Sequence, residues 1–133
     1  MADKFEINKN DLYDVLNKGE IEYLYHANTV STSVTFFNER ALLSRKYVED
    51  NNLAQSSQSS DEKDKSLNIW DGIFLDFIDI HKELKRPNLY GPLLFCFDLN
   101  ILLSDQIASL KITNKNPVYW RTNETDEDWS YTF

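Results

Sequence analysis

The sequence predicts a single α+β domain, and three observations carry that expectation. At 133 residues the chain is long enough for one hydrophobic core and too short for two ordinary ones. Segments with helical and with strand-like patterning follow one another along it. Hydrophobic residues make up 41% and aromatic residues 14%, enough apolar surface to offset the entropy of ordering the backbone.

A first helix is expected over residues 10–19, where Asn10 can cap, Leu12, Val15 and Leu16 lie on one side, and Gly19 suits a stop. Residues 21–27 follow as an aromatic strand with partial alternation, His26 near its C-terminal end. Ser31, Thr32 and Ser33 can cap a second helix over residues 34–43, with Val34, Phe37 and Ala41 on one face. Residues 54–68 are nearly devoid of apolar side chains and read as a mobile polar surface loop, too hydrophilic to bury. Trp70, Ile73, Phe74, Phe77, His81 and Leu84 recur at spacings of three and four, which predicts a helix over residues 69–84 packed against a sheet. Pro87 marks its end. Residues 93–99 are apolar on both alternating faces, as a central strand is. A short helix or turn begun by Ser104-Asp105, a strand near residues 110–113 and a turn over residues 114–117 come next, while residues 118–120 and 129–133 read as strand-like or core-seeking.

Composition excludes several functions. Fourteen Lys plus Arg against twenty-two Asp plus Glu give a net charge of −8, which disfavours nonspecific attachment to nucleic acid or anionic lipid. Cys96 stands alone and cannot form an internal disulfide, and the first residues lack the apolar core of a signal peptide, so a cytoplasmic setting and no membrane contact are expected. Three glycines are too few for a glycine-rich phosphate loop. One Cys and two His cannot build a conventional structural zinc site.

Asp76, Asp79 and His81 invite a metal reading, and with it a metal-dependent nuclease. On a helix, however, His81 would lie about 200° around the axis from Asp79, so no metal site is assigned. A serine hydrolase lacks its Gly-x-Ser-x-Gly elbow. The acidic run at residues 124–128 offers either a catalytic carboxylate or a solvated turn. Leu24-Tyr25-His26-Ala27-Asn28-Thr29 is more pointed: an imidazole at the end of an aromatic strand can donate to a sugar hydroxyl while the adjoining backbone pairs with a planar amide. The same residues also suit a purely structural polar strand end.

Four pieces in order resemble the ADP-ribosyltransferase-like superfamily, in particular bacterial DNA-targeting toxins of the DarT type. They are the Leu24–Thr29 stretch just given, Ala41-Leu42-Leu43-Ser44-Arg45, Gln58-Ser59-Ser60-Asp61, and Tyr90-Gly91-Pro92-Leu93-Leu94-Phe95. The resemblance implies a split, twisted, mainly antiparallel sheet with flanking helices, cradling NAD as substrate. It places Tyr25, His26, Asn28 and Thr29 around the nicotinamide and its ribose, Arg45 on the pyrophosphate and Tyr47 as a stacking partner. His26 and a late carboxylate, Glu124 or Glu127, would be catalytic. The family mechanism releases nicotinamide through an oxocarbenium-like state, so the protein mainly orients and stabilises charge.

The chain is short for that fold, which implies a truncated domain, a degenerate member or part of a split enzyme. The expected function is NAD-dependent modification of a nucleic acid or protein acceptor in a toxin or phage-defence setting, with an antitoxin as a possible partner. Lys82, Lys85, Arg86, Lys111 and Lys115 would grip a nucleic acid locally. The rival expectation is a noncatalytic acidic module that binds and blocks a basic partner.

Overall fold

The computed structural model describes residues 5–83 and 90–125. It is mixed α+β, with short antiparallel strand pairs and several helices, and its contacts divide the chain into two compact units. One comprises Met1–Glu22 and Leu99–Phe133, the other Tyr23–Asp98.

In the first unit, strand β1 (Glu6–Ile7) leads into helix α1 (Lys9–Lys18). Asn8 caps the helix, its side chain accepting from the backbone amides of Asn10 and Asp11, so the helix starts earlier than Asn10 as cap would allow. Leu12 and Leu16, four apart, are buried, each burial stabilising by about 1.5–3 kcal/mol. A 3-10 helix over Leu99–Leu103 packs on α1 and contributes buried Leu99 and Leu102. Strand β4 (Leu110–Lys111) is antiparallel to β1. Residues 118–120 are not a strand: Pro117 fixes φ and offers no ladder donor, so Pro117–Tyr119 form a 3-10 helix capped by Asn116. Trp120 is buried and stacks on Phe5 at 5.9 Å. The expected segment at residues 129–133 lies outside the described residues.

In the second unit, strand β2 (Tyr23–Asn28) runs antiparallel to β3 (Leu93–Asp98), from Tyr23 opposite Asp98 to Asn28 opposite Leu93. Along the other edge of β2, Tyr25 exchanges both backbone hydrogen bonds with Asp76, at 2.9 and 2.8 Å. Among the described residues, β2 is therefore the inner strand. The expectation of a central strand at residues 93–99 is corrected: among the described residues β3 pairs with β2 alone, and Cys96 and Asp98 are exposed.

Helix α2 (Val30–Glu39) follows β2 directly. Its cap is Thr29, whose hydroxyl accepts from the Thr32 amide, and it stops where Arg40 turns left-handed at φ 55°. The expected helix over residues 34–43 thus lies four residues too late. Its faces are also reversed from a simple amphipathic reading, because Thr32, Ser33, Thr35 and Phe36 are buried while Val30, Val34 and Phe37 are exposed. Ser44 caps helix α3 (Arg45–Asp50).

Two further expectations fail. Residues 54–68 are not simply a surface loop: they contain helix α4 (Asp61–Ser66), and Ser60 and Asp64 are buried. A polar segment can be buried when its hydrogen bonds are met, and here many of them are met by side chains. The helix over residues 69–84 is reduced to α5 (Ile80–Glu83) among the described residues. Residues 69–79 instead turn at Gly72 and extend along β2 at Asp76, leaving Ile73, Phe74, Phe77 and Ile78 exposed. Backbone pairing with β2 outweighs the helical spacing.

Candidate functional site

The buried polar side chains of the described residues, Asn28, Thr32, Ser33, Thr35, Ser60 and Asp64, all fall in the second unit. Asn28, Thr32 and Thr35 belong to a network that begins at the C-terminal end of β2, whereas Ser33 Oγ is buried without a hydrogen-bond partner. His26 Nδ1 lies 2.8 Å from the Phe74 carbonyl oxygen, which can only accept, so Nδ1 carries the proton. His26 Nε2 is then an acceptor, and it takes a hydrogen bond from Asn28 Nδ2 at 3.1 Å. Asn28 Oδ1 accepts from the Thr29 amide at 2.9 Å and from Gln58 Nε2 at 3.4 Å, which fixes the orientation of the amide. The sequence reading has the imidazole donating to a sugar hydroxyl. Its one N–H is committed to the backbone, so Nε2 could only accept.

The His26 ring sits against Phe36 and Phe95, with centroids 5.9 and 6.3 Å away. Burial there pushes its pKa below 6.5, against the opposing pull of the Phe74 carbonyl. The buried Asp64 carboxyl is pushed above 3.8, again by burial, with a hydrogen bond from Ser60 opposing. The two groups act oppositely on stability. Below pH 6.5 the unfolded chain protonates the histidine first, so the stabilisation from neutral His26 is complete above that pH and is lost as pH falls toward the folded pKa. Between 3.8 and its folded pKa, Asp64 keeps a proton that the unfolded chain releases, so its contribution declines as pH rises. Urea midpoints of wild type and His26→Ala across pH 4–8 are expected to show a rise with pH on the acid side of 6.5 that flattens in the variant. An identical profile in the variant would remove His26 from the pH dependence.

Thr29 Oγ1 continues the network, 2.9 Å from Ser56 Oγ and 3.1 Å from Thr32 Oγ1. The Ser56 amide donates to Thr32 Oγ1 at 3.0 Å, and Thr35 Oγ1 donates to the Ala54 carbonyl at 2.6 Å. The polar inward face of α2 is what receives residues 54–56. Beyond it, Arg45 Nη2 donates to the Ser56 carbonyl at 2.7 Å and to Asp61 Oδ2 at 2.9 Å, while Nε lies 2.8 Å from Asp61 Oδ1. The guanidinium also stands 5.3 Å from the Trp70 ring centre. Arg45 Nη1 and Gln55 Oε1 are buried without a hydrogen-bond partner.

Gly91 closes the arrangement. Its φ is +123°, and a Cβ there would lie 2.4 Å from Asn28 C and O and Thr29 N, so the chain entering β3 runs directly over the Asn28–Thr29 peptide. The Gly91 carbonyl oxygen is 2.9 Å from His81 Nε2.

His26, Asn28, Thr29 and Arg45 are thus joined in one network, through Ser56, Gln58 and Asp61. Tyr25 is not in it: strand alternation turns its side chain to the opposite face, toward Tyr23 at 6.4 Å. Tyr47 follows Arg45 on α3 with its side chain half exposed and makes none of these contacts. Glu124 lies in the first unit, where its carboxylate takes the Lys115 ammonium at 2.5 Å and the Arg121 amide at 2.9 Å. Glu127, Lys85 and Arg86 lie outside the described residues. Asp79 accepts from the His81 amide, and no group of three or more His, Cys, Asp or Glu able to hold a metal occurs among the described residues.

Thr32, Gln55, Ser56 and Gly91 were not singled out as site residues by sequence. For Gln55 and Ser56 the signal is the density of hydroxyl and amide side chains in residues 54–61, while Thr32 reads as a helix-cap candidate and Gly91 as part of the fourth resembling piece. No helix among the described residues is long and apolar enough to cross a membrane. No family model, curated protein or solved structure matches the chain.

Proposed function

We propose that the protein is an NAD-using ADP-ribosyltransferase-like protein that modifies a nucleic acid or protein acceptor. One observation carries the reading: His26, Asn28 and Thr29 share with Arg45, on another helix, a single part-buried polar network at the end of β2. The donor set suits NAD. Arg45 offers a cation with a buried, unpartnered Nη1 for the pyrophosphate. Neutral His26 can accept a ribose hydroxyl at Nε2 when the Asn28 amide turns away. Asn28 and Thr29 supply amide and hydroxyl groups for the carboxamide.

NAD contributes an activated glycosidic bond: nicotinamide leaves with the bonding pair, and the acceptor joins the same ribose carbon and loses its proton. The residues of this chain bind and orient, which is where most of the rate advantage of such a reaction arises. A split, twisted sheet around NAD, a toxin or phage-defence setting and a cognate inhibitory partner belong to the same proposal.

Calorimetric titration with NAD tests it. Wild type is expected to bind, and His26→Ala to bind at least about tenfold more weakly, the equivalent of 1.4 kcal/mol. Labelled NAD should then pass its ADP-ribose to DNA, RNA or protein. A folded wild type that neither binds nor cleaves NAD would sink the reading.

A second reading has its own support, since His26 and Arg45 already find partners inside the chain and the net charge is −8. It is an acidic interaction module. It expects a salt-sensitive complex with a basic protein, unchanged by His26→Ala.

A further inference from the structure

Arg45 is already occupied along the guanidinium edge that best matches an oxyanion. Asp61 Oδ2 accepts from Nη2 at 2.9 Å, and Asp61 Oδ1 stands 2.8 Å from Nε as an ion pair without a hydrogen bond between them, so the carboxylate fills the guanidinium edge a phosphate would use but does not satisfy it. We propose that residues 55–61 form a displaceable strap in which Asp61 stands in for an anionic ligand, so that a phosphate-bearing ligand binds by exchanging its own oxygens for that carboxylate. The inference rests on the reading of Arg45 as the anion contact of the NAD site and adds how access to it is controlled.

Three features support release of the strap. Among the described residues, the one backbone-to-backbone hydrogen bond made by 54–58 is from the Asp61 amide at the start of α4 to the Gln58 carbonyl, at 3.2 Å, and it lies within the strap itself. The strap hangs on side chains: Thr32 on the Ser56 amide, Thr35 on the Ala54 carbonyl, Arg45 on the Ser56 carbonyl, and Gln58 on Asn28. Bonds of this kind are individually modest, so the segment can open while α2 and α3 stay folded, the first turn of α4 at Ser60 and Asp61 moving with it.

The closed arrangement is also imperfect. Arg45 Nη1 is buried with no hydrogen-bond partner, so the internal carboxylate leaves a donor that an oxygen-rich ligand can use. Finally, the strap is tied to the other end of the site. Gln58 donates to Asn28 Oδ1 through its side chain and to Asp61 Oδ2 through its amide. Lifting Asp61 therefore removes a restraint on Asn28, which frees its amide to leave His26 Nε2.

Asp61 and a bound phosphate cannot share one guanidinium edge, because both are anions and both need the same donors. The apparent affinity is then the intrinsic affinity reduced by the fraction of molecules with the strap open. Asp61→Asn removes the competing charge.

The test titrates NAD and inorganic pyrophosphate separately into wild type and Asp61→Asn, and follows amide exchange at Gln58 in wild type. The variant is expected to bind both ligands about tenfold more tightly, the gain from raising a closed population to a mostly open one. Saturating pyrophosphate should accelerate exchange of the wild-type Gln58 amide. If wild type binds NAD, the variant binds no tighter and Gln58 stays protected in the complex, the strap is refuted while the NAD site stands. If pyrophosphate binds and releases Gln58 but NAD does not bind, the strap stands and the NAD reading falls. Absence of any binding by either ligand overturns both. Should circular dichroism show that Asp61→Asn does not fold, wild-type exchange at Gln58 decides alone.

Discussion

Alanine at position 91 is expected to lower stability by roughly 2–5 kcal/mol and to disturb the candidate site, although residue 91 bears no functional group. Two costs combine. An L side chain at φ +123° is strained whatever surrounds it, and the new Cβ would stand 2.4 Å from three backbone atoms of the Asn28–Thr29 peptide. Backbone cannot swing aside as a flexible side chain would. If the peptide shifts instead, it carries with it the Asn28 amide that faces His26 and the Thr29 hydroxyl that caps α2. Gly19 is the internal control: its φ is −80°, and the nearest atoms to a new Cβ are 3.5 Å away, so Gly19→Ala should change stability by no more than about 0.5 kcal/mol. Urea unfolding of the two variants side by side decides the matter. Equal midpoints would mean that the chain entering β3 is not held against β2 as described.

What the sequence discloses here follows from how local each determinant is. Helix α1 is set by neighbours: Asn8 caps, Leu12 and Leu16 face inward, and Gly19 returns its amide to the Val15 carbonyl. Its place could be read almost to the residue. His26 at a strand end followed by Asn28 and Thr29 was legible for the same reason, since strand exit and helix entry occur within four residues.

Distant residues decide the rest. Residues 69–79 have the spacing of an amphipathic helix, but Asp76 finds both of its backbone partners on Tyr25, fifty-one positions back. No periodicity can show that. Helix α2 inverts the usual rule because its threonines receive the polar segment at residues 54–56, whose own polarity argues for solvent when read alone. Two polar patterns, each predicting exposure, bury one another. The pairing of Arg45 with Asp61 is equally unavailable to a local reading, because both residue types are common on surfaces and only their meeting, sixteen positions apart, makes a site.

That meeting supports a second large effect, and one able to separate architecture from ligand binding. Arg45→Met alone would leave the Asp61 carboxylate largely enclosed without its cation, and Asp61→Leu alone would do the reverse. Each is expected to cost about 2–4 kcal/mol, somewhat less than a fully buried pair because both side chains keep a little exposure, 15% and 17%. The double variant has no stranded charge and can pack apolar atoms beside Trp70, so it should recover about 1.5–3 kcal/mol relative to the sum of the singles. Additive losses would show that the two side chains do not interact in solution. Ligand binding then discriminates roles that stability alone conflates. If Arg45 only braces residues 55–61, a refolded double variant regains NAD binding together with its stability. If Arg45 holds the pyrophosphate, stability returns and binding does not, because methionine can fill the space of a guanidinium but cannot donate to an oxyanion.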